Sequence, residues 1–350
     1  MSPHKKNLIT KFLIWKYKHL TSQQFIYIVS IIIGLLSGLA AVTLKNLTHI
    51  IQEAVHNYQS VFFIFPIIGL LLTLLIIKYV IKHRVSHGIP STLHSISKKK
   101  GIMERYKIYS SILTAPITVG FGGSVGLEGP TVATSAAIGS NIARLFHMNQ
   151  SSRTLLIGAA AAAAMSAIFK APIAAIVFAI EIFSLDLTLV SLIPLLLSSI
   201  SAILTSYFFL GDDSILRFEL TDKFTLIDTI YYAILGVSCG LISVYFSKVY
   251  FVISDFFSKI TSPYTRLLIG GLGLGIIVYF VPPLFGEGFE TINNLLNNNV
   301  VGVFGQNYFE MVTENSWWII LFLLGLVVFK VVATSITFGA GGVGGVFAPT

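Results

Sequence analysis

Residues 115–131 read APITVGFGGSVGLEGPT, and residues 334–350 read TSITFGAGGVGGVFAPT. The two stretches lie at a constant offset of 219, and eight of their seventeen positions are identical. Four of those eight are glycines and one is a proline. These residues fix unusual backbone shape, so the match concerns conformation more than hydrophobicity. An internal repeat of this kind predicts two units built alike.

The chain around them is too apolar for an ordinary soluble fold. Of its 350 residues 55% are hydrophobic and 11% charged, and the mean hydropathy is +0.83. Uncharged runs long enough to cross about 30 Å of hydrocarbon stand at residues 25–44, 188–210, 229–247 and 267–285, with a shorter one at 61–77. Between residues 108 and 180 the texture changes to short uncharged runs interrupted by glycine, proline and single charges. That pattern predicts broken helices, which are tolerated at membrane depth only where protein or a water-filled cavity surrounds them.

Charge gives the topology. The net charge of +8 is not gathered into one nucleic-acid-binding patch, because the basic residues recur in the loops between spans. Lys5, Lys6, Lys11, Lys16 and Lys18 lie in an aromatic, amphipathic opening segment that reads as a cytosolic surface helix and not as a cleavable signal. Lys82, Arg84, Lys98, Lys99, Lys100, Arg105 and Lys107 face a single Glu104, which puts their loop in the cytosol as well. The acidic loop before Thr229 and the stretch 286–316, which has four glutamates and no lysine or arginine, belong outside. Lys248, Lys259 and Arg266 outweigh Asp255 and return the intervening connection to the cytosol.

The organisation expected is therefore an amphipathic helix at residues 1–21, a first transmembrane repeat at 22–210, an extracytoplasmic linker at 211–225 and an incomplete second repeat at 226–350. The first repeat starts from the cytosol near Ser22 and the second from outside near Leu226, so equivalent segments cross in opposite senses. Inverted repeats place a binding site near the bilayer midplane, where half-helix ends meet.

A helix amino terminus exposes unpaired N–H groups and about half a positive charge, so it attracts an anion without a cationic side chain. Three motifs put glycine and proline at an expected helix start: Ser86-His87-Gly88-Ile89-Pro90, Gly126-Leu127-Glu128-Gly129-Pro130 and Gly345-Val346-Phe347-Ala348-Pro349. Glu128 is a carboxylate in such a pathway, which is costly unless it has a function; a plain helix-start carboxylate stabilised by the dipole is the alternative.

These motifs resemble those of the CLC family of chloride channels and chloride/proton exchangers, which carry GSGIP, G(K/R)EGP and GxFxP at the helix starts around the anion pathway. The resemblance runs from the amino-terminal helix to Thr350. It implies an all-α polytopic transmembrane fold with inverted repeats of tilted and broken helices. The implied anion site draws on Ser86, His87, Gly88, Ile89 and Pro90 in the first motif, Gly126, Gly129 and Pro130 in the second, and Val346, Phe347 and Ala348 in the third. Glu128 aligns with the family's gate, which occupies an anion site or swings aside on protonation. Chloride is the implied transported ligand, with no cofactor or metal, in a homodimer of the cell (inner) membrane whose amino terminus is cytosolic. Proton-coupled chloride antiport is the alternative to a passive pathway.

Two departures bear on mechanism. The family's central serine aligns with His87, which either replaces the hydroxyl donor with an N–H whose protonation would strengthen anion binding, or packs at the cytosolic mouth without serving the anion. The inner glutamate that exchangers often carry directly after an Ile-Glu pair is absent, because Ile180-Glu181 is followed by Ile182. This leans toward an uncoupled pathway and gives Glu181 a structural or vestibule role.

Other readings fit less well. Thr118-Val119-Gly120-Phe121-Gly122 spells the potassium-filter pattern, but inside a long multi-span chain and without a counterpart in the second stretch. Gly123-Ser124-Val125-Gly126 is a weak serine-hydrolase motif whose serine needs a base, and no histidine follows His147. One cysteine, Cys239, excludes a disulfide framework, and no histidines pair at metal-ligand spacing. The chain stops at Thr350, directly after the third motif, so the helices that complete the family's fold and its central tyrosine are expected beyond it.

Overall fold

A computed structural model describes residues 18–56, 59–85, 88–186, 188–212, 215–216, 225–297, 299 and 316–350. The described residues form helices joined by short connections, and their one isolated β-bridge joins Gly126 to Gly345. In order, the helices are α1 (Ser22–His56), a 3-10 segment (Gln59–Ile64), α2 (Phe65–Leu75), a π turn (Ile76–Ile81), α3 (Gly88–Lys98), α4 (Lys107–Gly120), α5 (Glu128–Leu145), α6 (Gln150–Phe169), α7 (Pro172–Phe183) and α8 (Leu189–Leu210). After the acidic loop come α9 (Asp228–Ser258), α10 (Pro263–Phe280), a 3-10 turn (Pro282–Leu284), α11 (Phe289–Leu296) and α12 (Ser316–Gly339). Seven segments are long and apolar enough to cross a membrane. The protein is all-α and polytopic, as the hydropathy requires. The opening segment lies outside the described residues up to Tyr17.

The chain forms two compact units. One comprises residues 1–43, 88–112 and 131–213. Its centre is α6, whose run Ala159–Ala164 is fully buried: Ala159, Ala161, Ala162 and Ala164 share a core with Ala175, Ile176 and Leu195, Ala160 packs with Phe25 and Val29, and Ala163 with Ala41 and Ala202. Small side chains let helix backbones approach, and serines then bond across the gap. Ser198 Oγ donates to Ala159 O at 2.8 Å, Ser166 Oγ to Ser199 O at 2.9 Å, and Ser206 Oγ to Ala167 O at 2.8 Å. The short, interrupted helices expected across residues 108–180 are present: α4 has 14 residues, α5 18, α6 20 and α7 12.

The basic loop after α3 is tied down in this unit. Ser140 Oγ donates to Gly101 O at 2.6 Å and accepts from Met103 N–H at 3.0 Å. Arg153 donates to Lys100 O at 2.9 Å, and Lys99 Nζ lies 2.7 Å from Glu104 Oε1. That hydrogen bond holds the Glu104 carboxyl below the usual carboxylate range.

The other unit comprises residues 44–87, 113–130 and 214–350. α10 carries glycines on one face, so Gly271 meets Ile67 and Gly275 meets the Phe63 backbone without an intervening side chain. Leu274, Val278 and Ala333 form a core with Phe62, Phe285 and Ile336 around it, and the Phe62 and Phe285 rings stack with centroids 4.2 Å apart. Lys248 and Asp255 lie inside α9, not in a connection. The loop that returns the chain toward α10 is thus shorter than the charge pattern suggested.

Candidate functional site

The two similar stretches fold alike, residue for residue. α4 ends at Gly120 and α12 at Gly339, 219 positions later. Gly123 N–H then bonds Thr118 O at 2.7 Å, and Gly342 N–H bonds Thr337 O at 2.9 Å. Both turns need a positive φ, +95° at Gly122 and +98° at Gly341, a region that L side chains rarely enter.

The stretches also grip each other. Gly126 N–H donates to Gly345 O at 2.9 Å, and Gly345 N–H to Gly126 O at 2.7 Å. Ser124 N–H donates to Thr337 Oγ1 at 3.2 Å while Val343 N–H donates to Thr118 Oγ1 at 3.1 Å, the same bond with the partners exchanged. No side chain fits at the crossing: a Cβ on Gly345 would stand 2.7 Å from Gly129 N. The helix starts that follow are thereby fixed to one another. α5 begins at Glu128, with Pro130 buried in its first turn. After Gly345 the chain closes one turn, Thr350 N–H to Val346 O at 3.2 Å.

Glu128 is 1% exposed. Its side chain folds back over Gly126, where a Cβ would fall onto Oε2. The carboxylate lies beside the N–H of Ala348 and its own N–H, yet Oε2 has no hydrogen-bond partner of good geometry. The Glu128 carboxyl group thus lies at the turn Val346-Phe347-Ala348, a place where an ionised form or another anion would meet backbone N–H.

Sequence reasoning missed what surrounds Glu128. Glu287 Oε1 accepts from Leu127 N–H at 2.8 Å, in a turn flanked by Gly286 and Gly288, both at positive φ. Lys330 of α12 donates through Nζ to Gly286 O at 2.9 Å, and its charge acts on both Glu287 and Glu128. Lys45 of α1 is a further cation acting on Glu287. Lys330 was legible in principle, as the one charged residue of an otherwise apolar α12, because an ionisable group inside a span marks a functional site by default.

Of the other expected site residues, Gly88, Ile89 and Pro90 open α3 in the first unit, where Gly88 is buried at φ +27°. Ser86 and His87 lie outside the described residues. Val346 and Phe347 are each 41% exposed and Ala348 is half-buried. Glu181 is exposed on α7.

Geometry also weighs the alternatives. In the TVGFG stretch the Thr118 and Val119 carbonyls accept the Gly123 and Gly122 N–H groups, at 2.7 and 3.0 Å. A potassium filter requires such carbonyls to face the ion. Ser124 Oγ is buried without a hydrogen-bond partner, so it lacks the base that a nucleophile requires.

Known proteins give the same picture. The exchange transporter ClcA of Vibrio cholerae, named as an H(+)/Cl(-) exchanger, is 26% identical over 342 residues, 91% of this chain and 69% of that protein. An uncharacterized protein of Methanocaldococcus jannaschii is 27% identical over 321 residues, 91% of this chain and 74% of that one. A CLC-type fluoride/proton antiporter shares the fold with a TM-score of 0.74 at 21% identity, over 95% of this chain and 80% of that one. A slow cyanobacterial Cl-/H+ antiporter does so with a TM-score of 0.76 at 20% identity, over 94% and 76%. The family model described as voltage gated chloride channel matches residues 68–350, most of the chain, and with its paired helix starts and buried carboxylate the chain belongs to that CLC family.

Proposed function

We propose that the protein carries chloride or a similar small anion across the membrane by a pathway that Glu128 closes. The observation that carries this reading is the seat of the Glu128 carboxylate beside Ala348 N–H, a place built for an anion and filled by a tethered one. An anion from solution and the ionised side chain compete for the same N–H groups. Protonation removes the charge that holds Glu128 there, and the side chain can then leave.

Gly126, Gly129 and Pro130 shape the gate, and Val346, Phe347 and Ala348 supply donors. Gly88, Ile89 and Pro90 open α3, and the family likeness supports assigning that motif, with Ser86 and His87, to anion binding. The chain is a transporter and not an enzyme. The basic residues from Lys98 to Lys107 support a cytosolic loop, and with it a cytosolic amino terminus, in the cell (inner) membrane. Family likeness supports a homodimer with one pathway per subunit.

Proton-coupled exchange is the second reading. It is favoured by a titratable gate with a further acid and lysine beside it, and by relatives named as antiporters; Ile182 in place of an inner glutamate weighs against it. Reversal potentials in liposomes holding the full protein, under separate chloride and pH gradients, decide between the two. A potential that follows chloride alone means a passive pathway, one displaced by the pH gradient means exchange, and absence of any chloride flux refutes both.

A further inference from the structure

Glu287 has no assigned role, yet it touches the residue next to the gate. Its Oε1 takes the Leu127 N–H at 2.8 Å, at the turn from which Glu128 springs. Lys330 Nζ is anchored on Gly286 O at 2.9 Å and stands 3.5 Å from where a Gly288 Cβ would be, so it brackets Glu287 from α12. Lys45 acts on Glu287 from α1. Also from α1, the neutral Gln52 amide lies 3.1 Å from where a Gly286 Cβ would be. On α11, Glu290 is exposed. Glu128 itself is buried, with one carboxylate oxygen unpartnered.

The arrangement pins one carboxylate and leaves the other free to move. Glu287 is held by a backbone donor, with Lys330 anchored on the adjoining Gly286 carbonyl, whereas Glu128 reaches its seat only through a flexible side chain. Both draw on Lys330. Two like charges near one counter-charge oppose each other's ionisation, and a charge within a few ångströms moves a titration by about 1–3 pH units.

We propose that Glu287 is a positioning residue for the gate: its carboxylate, anchored on Leu127 N–H and balanced by Lys330, sets the proton concentration at which Glu128 leaves the Ala348 turn. The inference rests on the gate reading above. Removing the Glu287 charge leaves the seated Glu128 facing Lys330 alone, so more protons are needed to release it. Removing the Lys330 charge does the reverse.

Chloride efflux from liposomes containing the full chain, measured over a pH series, tests this. Glu287→Gln keeps an acceptor for Leu127 N–H and should lower the pH of half-maximal efflux by about one unit, tenfold in proton concentration. Lys330→Met should raise it. Glu287→Asp retains the charge and should hold the midpoint near wild type. In a Glu128→Gln background, Glu287→Gln should move nothing. An unmoved midpoint in Glu287→Gln overturns the proposal, as does a shift of the same sign in Glu287→Gln and Lys330→Met, or a shift in Glu287→Asp as large as in Glu287→Gln. If Glu287→Gln does not fold, a Lys330→Met midpoint that is unmoved or lowered, or a Glu287→Asp midpoint displaced by about one unit, overturns the proposal. A wild-type pH profile in Glu128→Gln alone would remove the gate reading. A flat profile there, with an unmoved Glu287→Gln midpoint in the otherwise wild-type chain, would remove only this inference.

Discussion

Gly126 and Gly345, 219 positions apart, exchange both of their backbone hydrogen bonds, at 2.9 and 2.7 Å. The pair lies where two stretches of like conformation cross; α5 starts two residues after Gly126, and a single turn follows Gly345. Two flexible segments could not hold a carboxylate of one beside an N–H of the other. Cross-bonded backbones without Cβ atoms can, and Glu128 at Ala348 is the result.

The two glycines should respond differently to the same substitution. In Gly126→Ala the new Cβ meets the Glu128 carboxylate and lies 2.8 Å from Ala348 Cβ; the gate side chain can move aside, so chloride efflux at neutral pH should rise severalfold. In Gly345→Ala the Cβ meets backbone, 2.7 Å from Gly129 N and 3.0 Å from Gly129 Cα. Backbone cannot yield without disturbing both stretches, so this change should cost about 2 kcal/mol or more, read as a lower melting temperature in detergent.

Thr118→Val and Thr337→Val remove equivalent acceptors, those of Val343 N–H and Ser124 N–H. Leaving a buried N–H unpaired costs roughly 1–3 kcal/mol. The Thr118 change should cost more, because Thr118 Oγ1 also bonds Thr73 Oγ1 at 3.0 Å. Thermal melting of both variants checks the order.

Glu128→Gln cannot be ionised or expelled by charge. Efflux between about pH 4 and about pH 8, the range in which carboxyl groups shifted by their surroundings titrate, should become independent of pH. An unchanged profile would contradict the gate.

His87 lies outside the described residues, and its prediction rests on sequence alone. If His87 faces the anion, chloride binding by the wild type should tighten as pH falls through about 6.5, the ordinary histidine value, and His87→Ser should flatten that dependence while keeping binding; identical pH dependence in both means that His87 points away. Calorimetric chloride titrations at two pH values, on both proteins, measure it.

The Lys99–Glu104 pair gives a pH effect outside the spans. The carboxyl is held low by its hydrogen bond to Lys99, so its contribution is present above the unfolded carboxylate value, about 4.3, and is lost as pH falls through the folded value. Both side chains are more than a third exposed, at 47% and 42%, and screening keeps the effect small. Glu104→Gln should melt slightly below wild type at neutral pH and low salt, with the difference vanishing in strong acid.

The sequence alone was enough for the spans, the paired stretches and the helix starts at Gly88 and Glu128. Each of these depends on local properties: apolar length, the φ that glycine permits, and the N–H that proline lacks. It could not say how α6 is enclosed, since its alanine run favours a helix in any setting and only tertiary packing buries that run on all sides. Nor could it join Lys45, Glu287 and Lys330 to Glu128. In the chain these residues are remote and read as loop charges or topology signals. Only the packing of α1, α12 and the Gly286–Gly288 turn against the start of α5 brings their charges within range of one another, and Coulomb interaction depends on that distance and on the low dielectric around it.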